Sequence, residues 1–199
     1  MRVEQPWGYP DISDRIDQRV CLHDVSWEDY EAVLRMRGEG AGPRICYLEG
    51  ELEIMSPSRD HESIKKLLAR LLEVYALETG LELDGYGSMT IRERPKERGA
   101  EPDECYAIGG PKEWPDLAIE VIWTQGGIDK LELYRGLGVR EVWIVRDGRI
   151  EVHALRADRY ERVAASELLP GLDLRVLAGF LGAESQTQAV RAYQQVLRK

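Results

Sequence analysis

Glu120 lies inside an apolar run, Leu117-Ala118-Ile119-Glu120-Val121-Ile122-Trp123. Side chains alternate along a strand, so Ala118, Glu120 and Ile122 share one face. A carboxylate there is costly to bury unless a cation or hydrogen-bond donors meet it. The alternative is an edge strand with Glu120 in solvent. If strands at about 103–108 and 116–123 form a hairpin centred near Pro111-Lys112, Asp103 falls opposite Glu120, with Cβ atoms about 4.5–5.5 Å apart. Two carboxylates that close repel, and one is pushed toward protonation unless a cation sits between them. Such oxygen ligands suit Mg2+ or Mn2+, with the Val121 carbonyl as a further candidate ligand.

Lys130 is the third element. Projected at about 100° per residue from Ile128, it falls between Leu137 and Tyr134, inside the apolar stripe and away from the charged Asp129 and Glu132. Placed there, its ammonium would either snorkel to the surface or reach Glu120, where it could orient an attacking water or stabilise charge on a phosphate. An acid pair, a divalent ion and a cation at the reacting group are what phosphodiester hydrolysis needs. Glu51 and His61 are candidates for supporting roles. Glu51 could equally face solvent on its hairpin. His61, three residues after the cap Ser58, could be a surface or supporting histidine at a helix start, or a ligand.

These residues need elements to hold them. Ser26-Trp27-Glu28-Asp29 reads as a capping box, starting a helix over about 27–37 before a glycine-rich break at Gly38, Gly40 and Gly42. ICYLEGELEIM reads as a tight hairpin turning at Glu49-Gly50. After Ser56-Pro57-Ser58, the residues Ile64, Leu67, Leu68, Leu71, Leu72 and Tyr75 keep helical spacing, and Gly80 supplies the stop. Residues 89–92 read as a strand and 92–98 as a charged loop or strand extension. A helix over about 128–137 ends at Gly138. EVWIV, the turn Asp147-Gly148 and RIEVHAL form a second hairpin, and Tyr160–Val163 a further strand. LLPGLDLRV reads as a loop with a short extended piece, and 184–198 as a peripheral helix or mobile tail.

The 199 residues suit one domain, with its core over about 22–180 and 181–199 peripheral. Contents of 43% hydrophobic and 32% charged residues are those of a soluble globular protein. No apolar stretch approaches the roughly 20 residues that span a bilayer, and the opening MRVEQPWGYPDISDRID lacks a signal-peptide core. Cys21, Cys46 and Cys105 form no CxxC pair, which points to free thiols in a reducing cytoplasm. A net charge of −9 argues against a surface built for strong nonspecific DNA binding, though basic groups need line only one cleft.

Several stretches together resemble the Uma-two family of restriction endonucleases in the PD-(D/E)XK superfamily. They are Glu101-Pro102-Asp103, Pro115-Asp116-Leu117-Ala118-Ile119-Glu120-Val121, Asp129-Lys130 with Tyr134, and Gly138-Val139-Arg140-Glu141-Val142-Trp143-Ile144-Val145. Upstream, Leu48-Glu49-Gly50-Glu51-Leu52, Met55-Ser56-Pro57 and His61 fit as well, and downstream Leu169-Pro170-Gly171-Leu172. The likeness covers about 22–180. It implies an α/β fold with a restriction-endonuclease-like core, a mixed β-sheet flanked by helices, and divalent-metal hydrolysis of nucleic acid. The family's aspartate after proline falls on Asp103 and its strand glutamate on Glu120. The lysine expected two residues later is absent, since Ile122 is there, and its role would pass to Lys130. Trp123-Thr124-Gln125-Gly126-Gly127 also departs from relatives that carry Ser-Pro-Ser-like segments, which puts the local loop contacts in doubt.

The leading expectation is therefore a cytoplasmic, Mg2+- or Mn2+-dependent endonuclease acting on DNA, with RNA or another phosphodiester as alternatives. A homodimer is expected, because cutting two strands commonly needs two sites. The competing expectation is a catalytically silent nucleic-acid-binding or dimeric scaffold with the same fold.

Overall fold

The computed structural model describes residues 16–38, 42–122 and 127–199. The reading of the opening segment, the glycine at position 40 and most of the departure at 123–127 lie outside these residues. The first elements are β1 (Gln18–Leu22), α1 (Trp27–Arg37), β2 (Arg44–Leu48), β3 (Glu51–Ser56) and α2 (Arg59–Thr79). Short strands β4 (Leu83–Gly85), β5 (Ile91–Glu93) and β6 (Arg98–Ala100) follow, then β7 (Glu104–Ile108), β8 (Leu117–Val121) and α3 (Lys130–Leu137). The chain continues through β9 (Glu141–Arg146), β10 (Arg149–Leu155), β11 (Tyr160–Val163), α4 (Leu174–Ala178) and α5 (Gln186–Leu197).

The strands form two sheets. One has five strands in the order β1-β3-β2-β6-β5, the other six in the order β11-β10-β9-β8-β7-β4. In the second, β8 and β9 run parallel while the remaining pairs are antiparallel. The architecture is thus mixed α/β with helices against sheet, as expected. β8 is central rather than an edge strand, which removes the solvent-facing alternative for Glu120.

Local chemistry sets the element ends. Ser26 accepts the Asp29 amide at the start of α1, and Ser58 accepts the His61 amide at the start of α2. The β2–β3 turn puts Glu49 and Gly50 at φ of 46° and 97°, the left-handed pair that a two-residue hairpin requires. The stripe of α2 packs as its spacing demands: Leu67, Leu68, Leu71, Leu72 and Tyr75 are buried with Tyr106, Leu117, Ile119, Val121 and Trp143. Each fully buried leucine of this kind contributes about 1.5–3 kcal/mol. The opposite face of β8 turns Ala118 toward Leu133, Tyr134 and Leu137 of α3. Glu120 shares that face.

Some expectations need correction. LDLRV is not extended, because Asp173 caps the amides of Arg175 and Val176 and opens α4. The third helix begins at Lys130, with Asp129 as its cap accepting the Glu132 amide. The charged stretch after 92 is a short turn of 3-10 helix leading into β6. Of the two alternatives for the final segment the structure shows the helix, α5, over Gln186–Leu197: Ala189 and Tyr193 are buried in the same core as α2, and Gln194 and Arg198 both bond Glu78.

Candidate active site

Pairing of β7 with β8 fixes the acid pair. Glu104 lies opposite Ile119 and Cys105 opposite Ala118, and the same register carried back one residue sets Asp103 against Glu120. The Asp103 amide donates to the Ile119 carbonyl at 3.2 Å, and the Val121 amide donates to Asp103 Oδ2 at 2.6 Å. Asp103 is 1% exposed and Glu120 4%.

Two cations meet Asp103. The Arg44 guanidinium, from β2, forms an ion pair with Oδ1, and His61 Nε2 stands 3.0 Å from the same atom. Both cations converge on this one buried oxygen. Arg44 also donates to Glu62 at 2.7 Å. His61 Nδ1 lies 2.9 Å from Asp17 Oδ2, and Asp17 Oδ1 accepts the Ser58 amide at 2.8 Å. Burial alone would lift the Asp103 carboxyl, but His61, Arg44 and the Val121 amide bring it below its ordinary range. Burial works against an imidazolium at His61, and the carboxylates of Asp103 and Asp17 override it, holding the pKa at about 9. His61 is thus a buried support for Asp103.

Glu120 is surrounded differently. Tyr134 of α3 donates its hydroxyl to Oε1, and Lys130 Nζ lies 3.7 Å from Oε2. The same ammonium is 3.2 Å from Glu53 Oε1 and 3.0 Å from Cys46 Sγ. Burial raises the Glu120 carboxyl, and Asp103 adds to it, so that Lys130 and Tyr134 do not restore an ordinary value. Lys130, whose burial opposes its charge, is nevertheless held protonated well above its usual range by Cys46, Glu120 and Glu53 around it. Its inward placement on α3 is therefore real, and the snorkelling alternative falls.

Glu53 is the site residue that sequence reasoning missed. It is 1% exposed, meets Arg19 Nε at 3.2 Å as well as Lys130, and accepts the Ile128 amide at 3.2 Å. Gly127, at φ +95°, passes so close that a Cβ there would collide with Glu53 Oε2. Glu51 stands apart from this cluster. It lies beside the hairpin turn, 48% exposed in its side chain, and pairs with His23. Arg44 was also unforeseen, although an arginine opening a buried strand is itself a signal that an acid lies near.

Glu53, Glu120, Val121 and Lys130 open onto a cavity of about 490 Å3. Asp103 does not line it, while its partner Arg44 lines a second cavity. Among the described residues no three His, Cys, Asp or Glu side chains converge as a metal site. A divalent ion held here would have the opposed carboxylates of Asp103 and Glu120 as its charged donors, and its charge would offset the rise in the Glu120 carboxyl.

Three chains of known structure match this one. One is titled "Crystal structure of a putative nuclease belonging to DUF820 from Anabaena variabilis ATCC 29413". It is 12% identical, aligns over 80% of this chain and 96% of that one, and has a TM-score of 0.44. No curated protein matches the chain. The model of the Uma2 family, described as "Putative restriction endonuclease", matches residues 27–185, close to the 22–180 over which the motifs show their resemblance. The chain belongs to the Uma2 family.

Proposed function

We propose that this protein is a divalent-metal-dependent endonuclease acting on DNA, with Asp103, Glu120 and the Val121 carbonyl holding Mg2+ or Mn2+. The observation that carries the reading is the facing of Asp103 and Glu120 across β7 and β8 with Lys130 Nζ 3.7 Å from Glu120. A bound ion would supply Lewis-acid polarisation of the phosphate and a water easier to deprotonate. Arg44 and His61 keep Asp103 an anion. Lys130, kept charged by Glu53, offers an ammonium where negative charge develops on a phosphate or where an attacking water must be oriented. Tyr134 fixes the Glu120 carboxyl by its hydroxyl. Family membership supports the reaction class.

The homodimer belongs to the same reading. Edge strand β1 exposes Val20 and Leu22 at 54% and 44%, a surface suited to contact between two copies. Free thiols at Cys21, Cys46 and Cys105 accord with a cytoplasmic setting. Among the described residues no helix is long and apolar enough to cross a membrane.

A second reading has its own support. Arg44 on Asp103 and Lys130 on Glu120 already neutralise both acids, as a catalytically silent nucleic-acid-binding relative would require. Plasmid nicking separates the two. The nuclease reading expects nicking with Mg2+ or Mn2+, none in EDTA, loss in Glu120→Ala, and turnover lowered without loss of metal binding in Lys130→Ala. No nicking by the natural chain, together with no metal-induced rise in Tm, would establish the silent reading instead.

A further inference from the structure

A second cavity, of about 1170 Å3, lies beyond Arg44. Its cationic lining comes from Arg35 and Arg37 of α1, Arg44 of β2, Lys65 of α2 and Arg92 of β5. Among the described residues two carboxylates, Glu62 and Glu101, line it. Five cations thus share the lining with two acids, in a chain whose formal net charge is −9. The cavity at Glu120 is the reverse: Arg19, Lys130 and Arg146 face Glu53, Glu120, Asp129 and Glu151.

Both acids of the basic cavity are already committed. Glu101 accepts two bonds from Arg37, at 2.8 and 2.6 Å, one from Thr90 at 2.5 Å and one from the Ile45 amide at 2.9 Å. Glu62 is shared between Arg44 and Lys65, each at 2.7 Å. Arg35 meets no acid among the described residues, and Arg92 reaches only Glu31, at 3.7 Å, with its side chain 49% exposed. Asp103 and Glu31, outside this lining, take up Arg44 and part of Arg92, so Arg35 and the half-exposed Arg92 are the cations left to meet a ligand. Cations gathered in one large cavity suit a chain of phosphates better than a single small anion.

We propose that this cavity binds the phosphate backbone of a nucleic-acid strand, with Arg35 and Arg92 as its outer contacts and Arg44 as the link to Asp103. The inference rests on the nuclease reading for its substrate class. It adds a backbone-binding surface that joins, through Arg44 and Asp103, the cavity that Glu120 and Lys130 line. It also accounts for nucleic-acid binding by a chain of negative net charge, since the positive potential is gathered in one groove.

The test uses fluorescence anisotropy of an end-labelled oligonucleotide, single-stranded and duplex, with the full chain in EDTA so that nothing is cut. Arg35→Glu/Arg92→Glu should weaken binding by about tenfold or more at about 50 mM salt and reduce the slope of log K against log salt by about two. Arg159→Glu/Arg175→Glu makes the same charge change away from both cavities and should bind as the natural chain does. An unchanged Tm verifies that each variant is folded. Equal losses in the two variants, or no binding by the natural chain, overturn the proposal. If the natural chain nicks plasmid and Arg35→Glu/Arg92→Glu nicks with unchanged KM, the groove is wrong and the nuclease reading stands. If the variant loses binding and the natural chain never nicks, the groove stands and the nuclease reading falls.

Discussion

Asp103 sits beneath Arg44 and His61, each of which has a second acid behind it in Glu62 and Asp17. Glu120, opposite it, has a tyrosine hydroxyl and a lysine that it shares with Glu53. The first carboxyl is driven below its ordinary range and the second above it. Two acids of one register thus differ in what they can do. Asp103 is a fixed anion whose partners are assembled from β2, α2 and the segment before β1. Glu120 is the adjustable member, next to a cavity, where burial and Asp103 favour its neutral form and Lys130 favours its charged one. Such pushing apart of neighbouring carboxyls is how a folded protein assigns different roles to identical chemistry.

The largest effect that would break this contrast is on stability. Asp103→Asn keeps the side chain's volume but leaves Arg44 and His61 buried against a neutral amide. Removing one partner from a buried ion pair costs about 3–5 kcal/mol, and a loss of that size is expected in urea unfolding followed in EDTA. Repulsion between the two acids, taken alone, would have the deletion of either carboxylate spare the fold. The structure limits that argument to Glu120. Were Asp103→Asn as stable as the natural chain, Arg44 and His61 would not be holding an anion, and the contrast would fail.

A smaller shift is expected at Glu120. Glutamine mimics the neutral form that burial already favours, its carbonyl can still accept from Tyr134, and Lys130 retains Glu53. Glu120→Gln should therefore unfold within about 1 kcal/mol of the natural chain without metal, and should show none of the rise in Tm with Mg2+ or Mn2+ that the proposed metal site predicts for the natural chain. A cost equal to that of Asp103→Asn would mean that Glu120 is as firmly ionised as its neighbour.

The half of the site carried by β7, β8 and α3 was legible because its elements are local. A turn centred near Pro111-Lys112 fixes which residues oppose, and the apolar stripe of the helix that opens at Lys130, directly after the cap Asp129, fixes where Lys130 points. The half carried by β1, β2 and β3 was not. Gln18–Leu22 mixes charge and apolar residues with an exposed pattern, so nothing in it announces a strand. Without β1, β3 looks like the outer strand of a hairpin, and an acid at position 53 looks solvated. Once β1 covers it, β3 lies between two strands and Glu53 must find partners. β6 is only three residues inside a charged stretch, and its pairing with β2 joins residues 47–48 to 98–99, about a quarter of the chain away. The misreading of α4 has a similar cause: Leu172-Asp173-Leu174-Arg175-Val176 alternates with period two, and only the cap at Asp173 makes it helical.

The smallest expected effect follows from the same strand. Glu51 and Glu53 point to one face of β3 by alternation, yet two residues decide their fates. Glu53 reaches the centre of the strand, where Lys130, Arg19 and the Ile128 amide close over it. Glu51 stands beside the turn, where cover ends, and its pairing with His23 is exposed on both sides. Exposed pairs of this kind contribute about 0–1 kcal/mol and weaken with salt. Glu51→Gln should accordingly leave urea unfolding within about 0.5 kcal/mol of the natural chain, and plasmid nicking should proceed at the natural rate. A drop in nicking at unchanged stability would bring Glu51 back among the groups that act on the substrate, and the boundary drawn here between it and Glu53 would have to move.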